Sequence, residues 1–236
     1  MPDFSKRSGE IEMMDDLNCS GQLVAQTLHE LEVINKWLGG NAVTLNGVKK
    51  LFGTVDKQKE IVLADLGCGS GEMLRIVDAW AQQHRYNVKL IGFDANPNII
   101  AYAREHTAGN PRITFEIQDI FSEEFRKQKF DIVIGTLFYH HFDSLQLIDF
   151  FSALRKQTSI GVLINDIHRH PLAYYSIKYL TKWFSQSAMV QMDAPISVMR
   201  AFHKRELVHI LDGAAFKKYS IHWKWAFRWQ VIATPA

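Results

Sequence analysis

Between residues 61 and 166 the chain alternates short apolar runs with helix-length segments, and few folds accommodate that rhythm. The runs at 61–66, 88–94, 113–118, 130–137 and 161–166 read as strands, and 71–84, 97–107 and 143–156 read as helices. Strands buried on both faces and joined by helices build a parallel, doubly wound α/β sheet with right-handed crossovers. The ending breaks the rhythm. Residues 219–225 and 228–234 both have strand composition, and only Ala226-Phe227 lies between them. The expected sheet is therefore seven-stranded, mostly parallel, and closed by an antiparallel C-terminal hairpin.

Two further regions flank this core. Residues 1–16 are polar and acidic without a period and read as a frayed lead-in. Apolar positions from Leu23 to Leu38 form an amphipathic stripe that stops at Gly39-Gly40, and a second short helix is expected over 44–52. Residues 1–56 thus form an N-terminal helical lid segment ahead of a main domain over 57–236. Within that domain, residues 168–200 are too long for a connection and too aromatic for a linker, and read as an inserted helical cap. A conventional helix follows over 203–212.

Composition removes several classes. Twenty-seven basic against 25 acidic residues leave a net charge of +2, without the basic stripe of a protein that binds nucleic acid. Cys19 and Cys68 make neither a disulfide framework nor a zinc spacing, which fits a reducing compartment. The N-terminus lacks an apolar signal core, and the longest apolar stretch, 132–139, is far below the ~18 residues of a membrane span. The expected location is the cytoplasm, with no stable membrane insertion.

The sharpest motif is Asp65-Leu66-Gly67-Cys68-Gly69-Ser70-Gly71, a G-x-G-x-G loop leaving the first strand. A dinucleotide fingerprint places its third glycine one position later, where this chain has Glu72. A carboxylate there sits badly beside a pyrophosphate, so the loop suits a ligand without phosphates. Asp94 ends the second strand 23 residues after Gly71, where a carboxylate can accept from a ribose diol. Asp119 follows the third strand on the same rim, at the carboxyl edge where open α/β sheets bind ligands.

With these residues, the stretch from about 60 to 166 resembles the class I S-adenosylmethionine-dependent methyltransferases, and the terminal hairpin agrees with that family's antiparallel seventh strand. The resemblance implies S-adenosyl-L-methionine as cofactor. It implies that Gly67 and Gly69 hold the methionyl part, Asp94 the ribose and Asp119 the adenine, with Asp65 ordering the loop. Cys68, Ala95, Ile120 and Thr136 fall in the same implied pocket, Cys68 through its backbone. More loosely, the chain is similar to ubiquinone/menaquinone-type and natural-product methyltransferases of secondary metabolism.

That comparison points to a small aromatic or lipid-like acceptor, methylated at a phenolic oxygen. A C-methyltransferase of quinone type is the nearest alternative, and a nicotinamide oxidoreductase or a non-catalytic binding module lies outside the class. His140 and His141, leaving the fourth strand in Tyr139-His140-His141-Phe142, are the catalytic candidates. Adjacent residues on an extended chain point to opposite sides, so one of the two is expected to face the site. Tyr139, His168, Tyr175 and Tyr179 are expected to wall the acceptor. No metal is expected: the metal-dependent catechol enzymes carry an acid after the fourth strand and Asp-Asn after the fifth, whereas here the acid is missing and Asn165-Asp166 is reversed.

Overall fold

The computed structural model describes residues 2–53 and 55–235. Strands β1 (Ile61–Leu66), β2 (Val88–Asp94), β3 (Ile113–Ile117), β4 (Phe130–Thr136), β5 (Thr158–Ile167), β6 (Lys218–Lys224) and β7 (Arg228–Thr234) form one seven-stranded sheet. Their order is β3-β2-β1-β4-β5-β7-β6, parallel from β1 to β5, with β7 antiparallel to both β5 and β6. The expected parallel sheet and its closing hairpin are both present. β5 starts earlier than its apolar run suggests, because Thr158 already pairs with Phe130.

The helices are α1 (Gly21–Trp37), α2 (Gly40–Phe52), α3 (Glu72–Gln83), α4 (Pro97–His106), α5 (Glu123–Lys127), α6 (Ser144–Gln157), α7 (Pro171–Phe184), α8 (Ala188–Arg200) and α9 (Lys204–Gly213). Their starts have local causes. The Asn96 side chain accepts from the Asn98 amide at 2.8 Å ahead of Pro97 in the first turn of α4. Asp143 and Gln146 cap α6 reciprocally.

Alternate residues of each strand enter two separate cores. Phe52 of α2 and Leu74, Val77 and Trp80 of α3 pack with Leu63, Leu90, Ile132 and Leu163 on one face. Phe125, Phe150, Phe151 and Leu207 pack with Leu66, Phe93, Val133 and Ile164 on the other. This two-sided cover explains why the strands read as unbroken apolar runs.

The N-terminal region divides in two. Val48 and Phe52 of α2 are fully buried against the sheet, and the buried Asn165 side chain donates to the Gly40 carbonyl at 2.9 Å. The segment before α1 is not frayed. Arg7 donates to the carbonyls of Arg200, His140 and Phe142 at 2.7, 2.8 and 2.7 Å. The Met13 and Met14 amides donate to the Asp193 carboxylate at 2.9 and 3.1 Å. Polar contacts across 133 to 193 residues of sequence order this segment, and they leave no local hydrophobic period to read.

Candidate active site

The carboxyl ends of β1, β2 and β4 open into a cavity of about 800 Å³. Its lining gathers Asp65, Gly67, Cys68, Gly69, Asp94, Ala95, Asp119, Ile120 and Thr136, every residue expected around the cofactor, together with His140 and His141. The glycine loop takes its shape from positive φ values of 63°, 53° and 76° at Gly67, Gly69 and Gly71. A Cβ on Gly67 would stand 2.1 Å from the Phe138 ring, so only glycine lets the loop close against the β4 exit. Glu32 of α1 braces the loop from outside: it accepts from the Ser70 hydroxyl and from Arg75 at 2.6 Å, while Arg75 also donates to the Ser70 carbonyl.

Asp94 accepts the Asn96 amide at 3.0 Å and further backbone amides from Gly69 and Ala95. Burial nevertheless raises its pKa. Asp65 lies beneath the loop with Oδ1 buried and unpartnered. Its burial, with Asp94 beside it, pushes the carboxyl up to about 8. Two desolvated carboxyl groups around a glycine cradle suit a ligand whose hydroxyl donors and positive charge favour their ionised form. Asp119 is tied locally, accepting the Phe121 amide at 2.9 Å.

The β4 exit brings two histidines to the cavity. Leu137 takes a left-handed backbone (φ 55°), and residues Tyr139–His141 then form a single 3₁₀ turn. On that turn, rather than on an extended chain, neighbouring side chains do not alternate. Both histidine rings therefore face the cavity, with centroids 4.3 Å apart. His140 is buried and its Nδ1 lies 2.7 Å from Oδ1 of Asp166, which is itself fully buried. Burial alone would raise Asp166, but the charge and hydrogen bond of His140 outweigh it and hold the carboxyl low. The carboxylate at Nδ1 orients the ring and turns Nε2, which has no hydrogen-bond partner, toward the cavity. His141 Nδ1 pairs instead with Asp15 at 2.6 Å.

Four expected acceptor residues lie elsewhere. Tyr139 is fully buried among Phe150 and Phe151 and does not reach the cavity. His168 packs with His170, His203 and Trp229 beyond β5. Tyr175 and Tyr179 stand on the outer face of α7, 40% and 49% exposed, because α7 turns its small residues Ala173 and Thr181 inward. The cavity wall comes from α8 instead, through Val190, Asp193, Ala194, Ser197 and Arg200.

The sequence reading also missed Glu12 and Asp15. Glu12 is buried, its Oε2 accepts from the Ser197 hydroxyl at 2.8 Å, and burial pushes its carboxyl up to about 7. Burial also acts to raise Asp15, but hydrogen bonds from His141 and Arg200 outweigh it and hold that carboxyl below the ordinary range. Among the described residues, Glu12, His140 and His141 bring three potential metal-ligand atoms within 4.8 Å of one another. The Arg200 guanidinium lies 3.6 Å from the same Glu12 oxygen, and Asp15 occupies His141 Nδ1. A second cation there would face immediate repulsion. Glu12 and Asp15 stand three residues apart, one helical turn, and bracket the short 3₁₀ turn Met13–Asp15, but no apolar period around them marks it in the sequence.

Asp65 and Glu12 belong to a set of acids that burial raises, together with Glu72, Asp94 and Asp193. Keeping Asp65 and Glu12 neutral stabilises the fold fully below their unfolded values near ~4, and that stabilisation is lost as pH rises through about 7 and about 8. Asp15 and Asp166, held low, stay charged throughout this window. His168, lowered to about 4 by burial, acts in the opposite sense up to its unfolded value of ~6.5, so the unfolding temperature should fall between about pH 6.5 and about pH 8, and Asp65→Asn should flatten the fall. An unchanged slope in that variant would remove Asp65 from the account.

Residues 63–161 match the Methyltransferase domain family. Phosphoethanolamine N-methyltransferase of Plasmodium falciparum is 28% identical over 89 residues, 38% of this chain and 32% of that protein, so the chain spans about a third of that relative's length. Human N-acetylserotonin methyltransferase, solved with SAM, superposes with a TM-score of 0.61 at 16% identity over 89% of this chain and 55% of that one. The plantazolicin methyltransferase BpumL, solved with SAH, superposes with a TM-score of 0.63 at 16% identity over 91% of this chain and 95% of that one. Among the described residues, no helix is long and apolar enough to cross a membrane. The strand order, the glycine loop at the rim and the family match together make residues 63–161 a methyltransferase domain of the class I, S-adenosylmethionine-dependent type.

Proposed function

We propose that this protein transfers a methyl group from S-adenosyl-L-methionine to a hydroxyl oxygen of a small aromatic or lipid-like metabolite. The observation that carries this reading is the buried Asp166–His140 pair, 2.7 Å apart, whose open ring nitrogen faces the cavity that the glycine loop enters. Similar folds solved with SAM or SAH support the cofactor, and so does the orphaned oxygen of Asp65 beside Asp94. Gly67 and Gly69 would hold the methionyl part, Asp94 the ribose and Asp119 with Ile120 the adenine. When bound, S-adenosylmethionine supplies an electrophilic sulfonium methyl, whose bonding pair returns to sulfur as the acceptor oxygen makes the new bond.

The chain's own work is alignment and proton removal. Met14, Leu17, Phe138 and Phe142 give the cavity apolar walls that exclude water around the acceptor. A hydroxyl held against Nε2 of His140 loses its proton to that nitrogen, and Asp166 stabilises the ring as it becomes charged. Calorimetry tests the reading at its base. The protein should bind S-adenosylhomocysteine and not NAD, and a panel of phenols and enols should include one that releases S-adenosylhomocysteine when S-adenosylmethionine is supplied. Binding of NAD in preference to S-adenosylhomocysteine would overturn it, and methylation confined to amines would overturn the oxygen assignment.

A further inference from the structure

Two buried polar atoms in this cavity lack any hydrogen-bond partner, and they face each other. They are Nε2 of His140 and Oε1 of Glu12, 3.7 Å apart, on side chains only 2% and 5% exposed. Unpaired buried polar atoms are costly, and two of them converging in one cavity mark where a ligand supplies the missing partners. Their other atoms are already committed. His140 Nδ1 is held by Asp166, and Glu12 Oε2 accepts from Ser197. The separation is too long for a direct hydrogen bond and short enough for one oxygen atom to lie about 2.8 Å from both.

We propose that Glu12 and His140 together form the acceptor site, gripping a single hydroxyl oxygen of a phenol or enol, with Glu12 a catalytic residue that donates to the oxygen while His140 removes its proton. This rests on the methyltransferase reading above and adds to it the residue, from outside the matched domain, that completes the site. The atoms balance as follows. The acceptor O–H bond breaks with its electron pair left on oxygen, and the proton forms an N–H bond at His140 Nε2. The Glu12 hydroxyl keeps its proton and donates to a second lone pair of the same oxygen. That oxygen then takes the methyl carbon, sulfur keeps the former carbon–sulfur pair, and the imidazolium returns its proton to solvent.

The surroundings favour this division of labour. Glu12 is faced by His140 and His141 from the 3₁₀ turn, by Asp15 on its own segment, and by Ser197, Arg200 and Asp193 on α8. Asp15 is neutralised by its contacts with His141 and with Arg200 at 2.5 Å. Burial keeps the Glu12 carboxyl protonated up to about pH 7, so it can donate. Arg200, 3.6 Å from Glu12 Oε1, favours an oxygen that gains negative charge and disfavours an ammonium acceptor.

The test compares the full-length parent with Glu12→Gln and Glu12→Ala, using whichever phenol of a panel the parent methylates and, separately, 4-methylphenol, which stays un-ionised across the neutral range, titrated onto each S-adenosylhomocysteine complex. In the parent, kcat/KM should fall above about pH 7 as Glu12 ionises. Glu12→Gln keeps a donor of the same shape that cannot ionise, so it should retain most of the rate and lose the falling limb. Glu12→Ala should lose roughly 10²-fold in kcat, as expected for removal of one oxyanion donor. The methylphenol titration reports the same grip without turnover: binding weakens above about pH 7 in the parent, not in Glu12→Gln, and is lost in Glu12→Ala. A falling limb that survives in Glu12→Gln, parent-like binding and turnover in Glu12→Ala, or parent activity lost to a chelator and restored by a divalent ion would overturn the proposal. A parent that binds no S-adenosylhomocysteine would instead sink the functional reading beneath it.

Discussion

Replacing His140 with alanine should lower turnover roughly 10²–10⁴-fold while leaving cofactor affinity nearly unchanged, because that is the usual worth of a positioned general base. The imidazole is held by Asp166 at 2.7 Å inside a fully buried pair, so its tautomer and direction are fixed before any acceptor arrives. Cofactor affinity is the control: the glycine loop and Asp94 belong to β1 and β2, and His140 bonds to neither. Calorimetry with S-adenosylhomocysteine and steady-state rates at several pH values check both halves. A variant with the parent's rate and profile would pass the base to His141, whose Nδ1 is held by Asp15, or show that the acceptor arrives already ionised.

The second large effect is expected at Asp94. Asp94→Ala should weaken S-adenosylhomocysteine binding by at least ~2 kcal/mol, about 30-fold, through loss of a charge-assisted acceptor for the ribose hydroxyls. The same carboxylate also receives the amides of Gly69, Ala95 and Asn96. Its removal therefore loosens the loop as well as the ribose contact. Asp94→Asn separates the two, since it keeps an acceptor for the amides and loses the charge. Parent-like affinity in Asp94→Ala would break the assignment.

How much of this could be read beforehand varied with the range of the forces involved. β1 and β2 begin and end where the apolar runs do, because strands buried on both faces are specified by composition alone. The rim followed from the strand ends, since the glycine loop leaves β1, Asp94 ends β2 and Asp119 follows β3. The cap was harder. The 168–200 insert is two helices broken at Ser187, which caps α8 through its side chain. An aromatic stripe gives a helix's faces but not which of them is inward, and Thr181 and Ala173 won the inner side of α7 by being small. Glu12 was invisible because its partners are His140, Ser197 and Arg200, far along the chain and joined to it by polar contacts that leave no period.

The pinning of residues 4–16 has a consequence for synthesis. A ribosome releases Glu12 and Asp15 long before Asp193, Ser197 and Arg200, so the acceptor wall cannot close until nearly two hundred residues have emerged. The parallel core over β1 to β4 needs none of those late partners. Contacts between residues so distant in sequence carry the largest loop-closure cost and form late in folding. A partly made chain thus presents a glycine loop with its β1 and β2 neighbours before the cavity wall around Glu12 can form, and that wall arrives only with α8.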